Sequence, residues 1–400
     1  MKNVLFIGCL YPKENESQFR KNYKVFDSAA NVLQWKILRG LDDFCNVSVI
    51  TTPNVKGGRS IYSRQMTFSH KAGNNKTDLC LGFFNIPFIR QIFEKYSLKK
   101  AVTGILSKKE IDVIILYSLS GYKQKLISQL VKKFNGIKTV CIITDLPMYM
   151  SANINPVYRI LKNIETRQIC KQLPDIDGFV LLSEKMRERL PLNGKPFTIV
   201  EGIVDDELQV SSIPAKKNDR KEVEIVYTGT LDLRYGIDNL LRAFTSLTNP
   251  GYRLIICGRG DGEALITDYQ KKDSRIIYKG LLSNPETIAL QHNADLLINP
   301  RTSEGAFTRY SFPSKTMEYL YSGTPVLIYK LDGIPVEYYK YCFSIDKYEG
   351  TSQLADKIDE ILSMEKKHLH DIGEKAREFV ANNKNPKVQA RKIIDLINKL

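Results

Sequence analysis

Lys315 and Glu318 stand three residues apart in Phe312-Pro313-Ser314-Lys315-Thr316-Met317-Glu318-Tyr319-Leu320, a segment that reads as the start of a short helix. The Pro-Ser turn opens the helix, and Gly323-Thr324-Pro325 stops it before an apolar strand. A helix opened in this way offers unpaired N–H groups and the positive end of its dipole, which hold a diphosphate without a metal ion. Lys315 adds a full charge there. Glu318, one turn further in, points back toward the helix start, where a carboxylate accepts hydrogen bonds from a ribose diol. The segment reads as a cradle for a nucleotide diphosphate; simple support of an amphipathic helix is the plainer use of Glu318.

A second group of residues lies about eighty positions earlier. Tyr227-Thr228-Gly229-Thr230-Leu231-Asp232-Leu233-Arg234-Tyr235-Gly236 places a glycine turn after a strand and a cation before the next helix. Gly229 lets backbone approach a ligand, and Arg234 can give two parallel hydrogen bonds to phosphate oxygens. Ile255-Ile256-Cys257-Gly258-Arg259-Gly260 repeats the strand-to-glycine turn, and Ala294 to Arg301 adds a strand that leaves Arg301 and Glu304 at its carboxyl end. In the first half, Ile142-Ile143-Thr144-Asp145 ends a buried strand in a carboxylate, where ligands bind in open α/β sheets; capping the next segment is Asp145's other reading. Gly8 to Pro12 forms a second turn of this kind, with Tyr11 in it, while Met148-Tyr149-Met150 and the basic stretch Tyr158 to Lys162 suit a lipid-linked acceptor.

Other chemistries find less support. Asp175-Ile176-Asp177 imitates a metal-binding D-x-D but precedes its strand, so it reads as a loop. No G-x-S-x-G, H-E-x-x-H or Walker loop occurs, and the first domain has no G-x-G-x-x-G. The seven cysteines and four histidines show no metal-ligand spacing, which fits reduced thiols and no structural metal.

These residues need a scaffold. Val4 to Gly8, Val47 to Thr51, Val113 to Tyr117, Thr139 to Thr144 and Phe179 to Leu182 read as short buried strands alternating with helical stretches. Such alternation makes a parallel, doubly wound α/β sheet. Residues 54–82 read as a long loop. Residues 213–221 are polar and open on a proline, the best linker in the chain, after which the alternation restarts from Glu224. Two Rossmann-like domains follow, at 1–205 and 206–384, with an amphipathic helix at 385–400.

Four hundred residues at 43% hydrophobic content suffice for two cored domains, and no apolar run reaches the roughly 18 to 20 residues of a membrane span. The first ten residues read as a buried strand rather than a leader. Residues 1–200 carry 31 Lys and Arg against 15 Asp and Glu, whereas the rest carries 28 against 29. A basic half beside a neutral one suits an anionic membrane surface, a polyprenyl-diphosphate acceptor or nucleic acid, and a lysine-rich solvated surface is the bland reading. No aromatic pattern accompanies the charge, so nucleic acid ranks last.

Pro313-Ser314-Lys315-x-x-Glu318-Tyr319-Leu320-x-Ser322-Gly323-x-Pro325-Val326 resembles the donor-binding segment of retaining GT-B glycosyltransferases, family 4, of the glycosyl transferases group 1 type. The resemblance implies two Rossmann-like domains facing across a cleft, with the final helix crossing back to the first. It covers nearly all of the second domain and scattered points of the first. It implies a donor domain whose Gly229, Thr230, Arg234, Gly258, Gly280, Arg301, Tyr310, Ser314, Lys315 and Glu318 meet a nucleotide sugar. Lys279-Gly280-Leu281-Leu282 falls where relatives touch the nucleobase through backbone. Three positions depart from the family's pattern: Thr230 replaces an arginine, Arg234 a lysine, and Tyr310 the first of two glutamates. Asp145, Arg234 and Lys315 are the expected catalytic residues, and Gly8, Tyr11 and Tyr149 the acceptor side. The implied activity is metal-independent transfer of a sugar from a nucleotide diphosphate, with no other cofactor, to a saccharide or lipid-linked acceptor in cell-surface polysaccharide assembly. Its implied place is the cytoplasm, peripheral at the inner face of the membrane. The alternative is a noncatalytic GT-B subunit that binds nucleotide sugar or acceptor for a partner enzyme.

Overall fold

The computed structural model describes residues 1–58, 60–71, 76–86, 89–149, 156–204, 222–305 and 308–400, which form two compact units. One comprises Met1–Ile203 with Pro386–Leu400, the other Val204–Asn385. The polar segment 213–221 lies outside the described residues.

In the first unit the elements run β1 (Lys2–Gly8), α1 (Glu16–Asn22), α2 (Ser28–Asp42), β2 (Cys45–Thr51), β3 (Met66–Phe68), β4 (Asp78–Cys80), α3 (Ile89–Leu106), β5 (Val113–Tyr117), α4 (Gly121–Val131), β6 (Lys138–Ile143), α5 (Pro156–Gln172), β7 (Gly178–Leu181) and β8 (Phe197–Ile199). Their strands make one sheet ordered β8-β7-β6-β5-β1-β2-β4-β3, parallel except for β3 against β4. Central strands such as Val113-Ile114-Ile115-Leu116-Tyr117 are buried at every position, which is why they read as continuous apolar runs without alternation.

The segment 54–82 corrects an expectation. It reads as a loop, yet β3 and β4 extend the sheet through it, because Phe68 packs edge to face on Trp35 at 6.1 Å and Cys80 is fully buried. Three-residue strands are too short to show a period. A buried ionic tie holds this edge. Asp78 accepts from the Val49 and His70 amides at 2.9 and 2.8 Å, and His70 lies between Asp78 (2.5 Å from Nδ1) and Asp42 at the end of α2 (3.1 Å from Nε2).

In the second unit the order is β9 (Val223–Thr228), α6 (Ile237–Ser246), β10 (Tyr252–Cys257), α7 (Glu263–Lys272), β11 (Ile276–Tyr278), α8 (Asn284–Asn293), β12 (Leu296–Asn299), α9 (Ser314–Tyr321), β13 (Val326–Tyr329), β14 (Phe343–Ile345), α10 (Thr351–Leu362) and α11 (Lys366–Asn383). All six strands are parallel, ordered β11-β10-β9-β12-β13-β14. Order therefore reverses between β9 and β12, and the carboxyl ends of those two strands mark the ligand crevice of such a sheet. Helix α8 starts where Ser283 and Glu286 form a reciprocal capping box, a signal written in the sequence.

The last helix, α12 (Pro386–Ile397), belongs to the first unit and buries Ala390, Ile393, Ile394, Leu396 and Ile397 in its core. It crosses α2 at Gly40, where a Cβ would fall 2.1 Å from the Pro386 carbonyl oxygen. Backbone leaves no room for a side chain there. Gly40→Val should therefore destabilise by about 1–3 kcal/mol or more, seen as a lower denaturant midpoint, and an unchanged midpoint would refute the close crossing.

His70 yields a pH prediction. Burial opposes its charge, but hydrogen bonds to Asp42 and Asp78 outweigh that cost and lift its pKa from 6.5 to about 9. A folded pKa above the unfolded one gives stability that is complete below pH 6.5 and lost as pH rises through about 9. Unfolding midpoints measured across this range should fall for the wild type and lose much of that slope in His70→Asn; equal slopes would contradict the tie.

Candidate active site

The second unit builds its site from the carboxyl end of β9 and the start of α9. Tyr319, fully buried on α9, accepts from the Thr228 amide at 2.8 Å and donates to the Thr228 carbonyl at 2.9 Å. Gln291 of α8 adds a bond from Nε2 to Thr228 Oγ1 at 2.7 Å. The helix is thereby pinned to the strand end through both backbone groups of one residue. As a result Lys315 lies over the following turn, its Cγ 3.7 Å from where a Gly229 Cβ would stand.

Three glycines draw successive strand ends together. Gly258 has φ +144°, and a Cβ on it would lie 1.8 Å from the Gly229 carbonyl oxygen. Its amide donates to the Gly280 carbonyl at 2.9 Å, and the Gly229 amide donates to Cys257 at 3.0 Å. Gly280 faces open space, with exposed Leu281 beside it. Gly229, Gly258 and Gly280 are thus brought together, as their places in the sequence suggest.

The two expected cations carry partners that sequence reading did not give them. Arg234, in a short 3₁₀ turn at Leu233–Tyr235, grips Asp232 through Nε at 2.9 and 3.0 Å and through Nη2. Hydrogen bonds from Arg234 hold the Asp232 carboxyl below the usual carboxylate range against the opposing effect of burial. Lys315 Nζ meets Glu318 Oε2 at 2.5 Å. Both pairs are partly solvent-exposed. The signal for Asp232 was its position two residues before Arg234, inside the segment already singled out.

Helix α9 begins after Pro313 with no side-chain cap, and Ser314, its first residue, is exposed. Arg301, at the end of β12, lies over the Tyr235 ring at 4.8 Å and donates to Ser311 at 2.9 Å. It ties the Arg234 turn to the approach of α9. Gly236, with φ +83°, packs directly on the Pro300 carbonyl, so the same two segments also meet through backbone. Thr230 is exposed and its carbonyl accepts from Tyr227. Tyr310 is buried, 7% exposed.

In the first unit, Gly8 ends β1 against Gln34, whose Oε1 accepts from the Cys9 amide at 2.8 Å. Tyr11 is buried, 3% exposed, and its ring packs on Phe19 at 5.7 Å, so its side chain serves the core rather than an open surface. Asp145 is exposed just beyond β6. Tyr149 closes a 3₁₀ turn at Pro147–Tyr149; its side chain lies outside the described residues, as do Met150 and the side chains of Tyr158 and Arg159. Sequence reading missed Ser118, which takes φ +66° directly after β5, beside the point where strand order reverses between β5 and β1. A recess of about 380 Å³ borders Asn3, Ser48, His70 and Lys109 at the other end of this sheet, and shares no residue with the turns at Gly8 and Asp145.

Residues 211–379 match the model of the family described as glycosyl transferases group 1. Among solved structures the chain resembles a sucrose-phosphate synthase from Thermosynechococcus elongatus, at 15% identity and TM-score 0.66, covering 100% of this chain and 99% of that one. It resembles the trehalose-6-phosphate structure from E. coli bound with UDP-2-fluoro glucose at 10% identity and TM-score 0.69, covering 100% and 99%. HepE from Anabaena in complex with UDP gives 13% identity and TM-score 0.62, covering 100% of both chains. No curated protein sequence matches it. At these identities the solved structures speak for the fold, and the family match speaks for the second unit. The region 211–379 is a glycosyl transferases group 1 domain, and the chain is a glycosyltransferase of the GT-B fold.

Proposed function

We propose that the chain transfers a sugar, with retention of configuration and without a metal ion, from a nucleotide diphosphate held by the second unit to an acceptor received by the first. The observation that carries this reading is the placing of Lys315, at the uncapped start of α9, over the Gly229 turn. Cell-surface polysaccharide assembly at the cytoplasmic face of the membrane is the proposed setting, supported by the basic first half of the chain. Among the described residues no helix is long and apolar enough to cross a membrane.

The ion pairs suggest how binding proceeds. Each exposed pair is worth only about 0–1 kcal/mol, whereas charge-assisted bonds to a diphosphate are stronger and, beside a helix N-terminus, reinforced by its dipole. A diphosphate would draw Lys315 from Glu318 and Arg234 from Asp232. The released Glu318 carboxylate is then free to accept the ribose hydroxyls, so one exchange serves both parts of the nucleotide. As the sugar departs, the cations and helix amides stabilise the charge that builds on the diphosphate. Gly280 and Leu281 supply open backbone and an apolar surface for the base, and Asp145 holds the acceptor or reacting sugar. The noncatalytic alternative draws on one observation, the buried Tyr310 at the position of the first family glutamate.

A thermal-shift screen with UDP, GDP and ADP sugars should show one base raising the melting temperature, and product from that donor should retain its anomeric configuration by NMR in the presence of chelator. Binding without turnover for every acceptor would favour the noncatalytic subunit. Lys315→Ala should lower kcat/KM by about 10²–10³. Asp232→Asn, by releasing Arg234, should tighten nucleoside diphosphate binding up to about fivefold in calorimetry, while Arg234→Ala weakens it. Weaker binding by Asp232→Asn would argue against the exchange.

A further inference from the structure

Helix α3 is apolar on two opposite faces, and the fold packs one of them. Leu98, Val102 and Leu106 are buried, while Ile89, Ile92 and Tyr96 are 48%, 73% and 67% exposed. At roughly 100° per residue those three form one stripe, on the side away from Leu98. The stripe continues beyond the helix. Tyr62, 43% exposed, meets Phe93 of α3 edge to face at 6.2 Å, and Ile61, 64% exposed, accepts from the Asn85 amide at 2.7 Å. Single exposed apolar residues are ordinary, but a stripe of three on one helix face, with exposed Tyr62 against the neighbouring Phe93 and exposed Ile61 next to it in the chain, calls for something to cover it.

Charge says what covers it. Lys99 and Lys100 are exposed on the next turn, on the same side, and exposed Lys95 flanks the row. The helix's one carboxylate, Glu94, is buried, taking bonds from Arg90 Nε and the Tyr122 hydroxyl, both at 2.7 Å. Apolar side chains banked by lysines, with the acid turned inward, match a leaflet with anionic headgroups. A second copy of the chain would bring the same lysines against these.

We infer that the Ile89-Ile92-Tyr96 face of α3, extended by Ile61 and Tyr62, inserts into an anionic lipid surface, with Lys99 and Lys100 on the headgroups. Because α3 runs back toward the start of β5, its first turns stand at the carboxyl-end side of the sheet, the end that bears Gly8 and Asp145. A surface bound there would present a lipid-anchored acceptor to that edge. This purpose rests on the proposed transferase reading; the binding does not.

The test is flotation of the full chain with phosphatidylcholine vesicles, with and without phosphatidylglycerol. The chain should float only with the anionic vesicles and be released by salt. Ile92→Ser with Tyr96→Ser, and separately Lys99→Glu with Lys100→Glu, should each lower partitioning by about tenfold or more without changing thermal unfolding. Both double variants should still turn over donor with a soluble acceptor. No flotation of the wild type, flotation of both variants like the wild type, or a self-association lost in the serine variant in place of lipid binding would overturn the inference. A chain that floats as described but never turns over donor would leave this surface standing and remove the transferase reading.

Discussion

The two hydrogen bonds between the Tyr319 hydroxyl and the backbone of Thr228 are the constraint on which the candidate site of the second unit depends. A phenol buried without partners would be costly, and here it both donates and accepts, so its burial fixes α9 against the end of β9 instead of opposing the fold. The charged pair on α9 is placed by this joint. Lys315 and Glu318 ride on α9, and the Gly229 turn begins one residue after Thr228. Loss of the joint would leave each motif intact and separate.

Glycine supplies the rest of the closeness. Gly258 lies too near the Gly229 carbonyl for any side chain, and Gly236 lies as near to Pro300. Strand ends at a reversal of order already gather in space, and these contacts bring backbone groups that follow β9, β10 and β12 into one small region. Thr230 and Ser314 are exposed here, beside the ion-paired Arg234 and Lys315. In the proposed reading, the Arg234–Asp232 and Lys315–Glu318 pairs exchange their internal carboxylates for a diphosphate. That exchange is cheap because the pairs are exposed.

Much of this was legible in the sequence, and the parts that were not share a cause. Val113 to Tyr117 and Leu296 to Asn299 announced themselves because a strand buried on both faces is a continuous apolar run. The Pro-Ser opening and the Gly-Thr-Pro stop framed α9 through local backbone rules. The strands at Met66–Phe68 and Asp78–Cys80 escaped because their order comes from distant partners, namely Trp35, Val49 and the Asp42–His70–Asp78 tie. Tyr11 reads as a cleft residue from its position after β1, yet its side chain follows Phe19 into a satellite core. The pairing of Arg234 with Asp232 and of Lys315 with Glu318 was written in the spacing, but only the folded turn decides that each cation meets its neighbouring carboxylate.

The claim that most needs testing is the exchange at the helix start. A crystal structure with the bound nucleoside diphosphate of the preferred donor addresses it directly. Diphosphate oxygens should lie within hydrogen-bond distance of the Ser314 and Lys315 amides and of Lys315 Nζ, with Arg234 turned from Asp232 to the phosphate and Glu318 on the ribose. A diphosphate seated elsewhere, with both ion pairs unbroken, would contradict it.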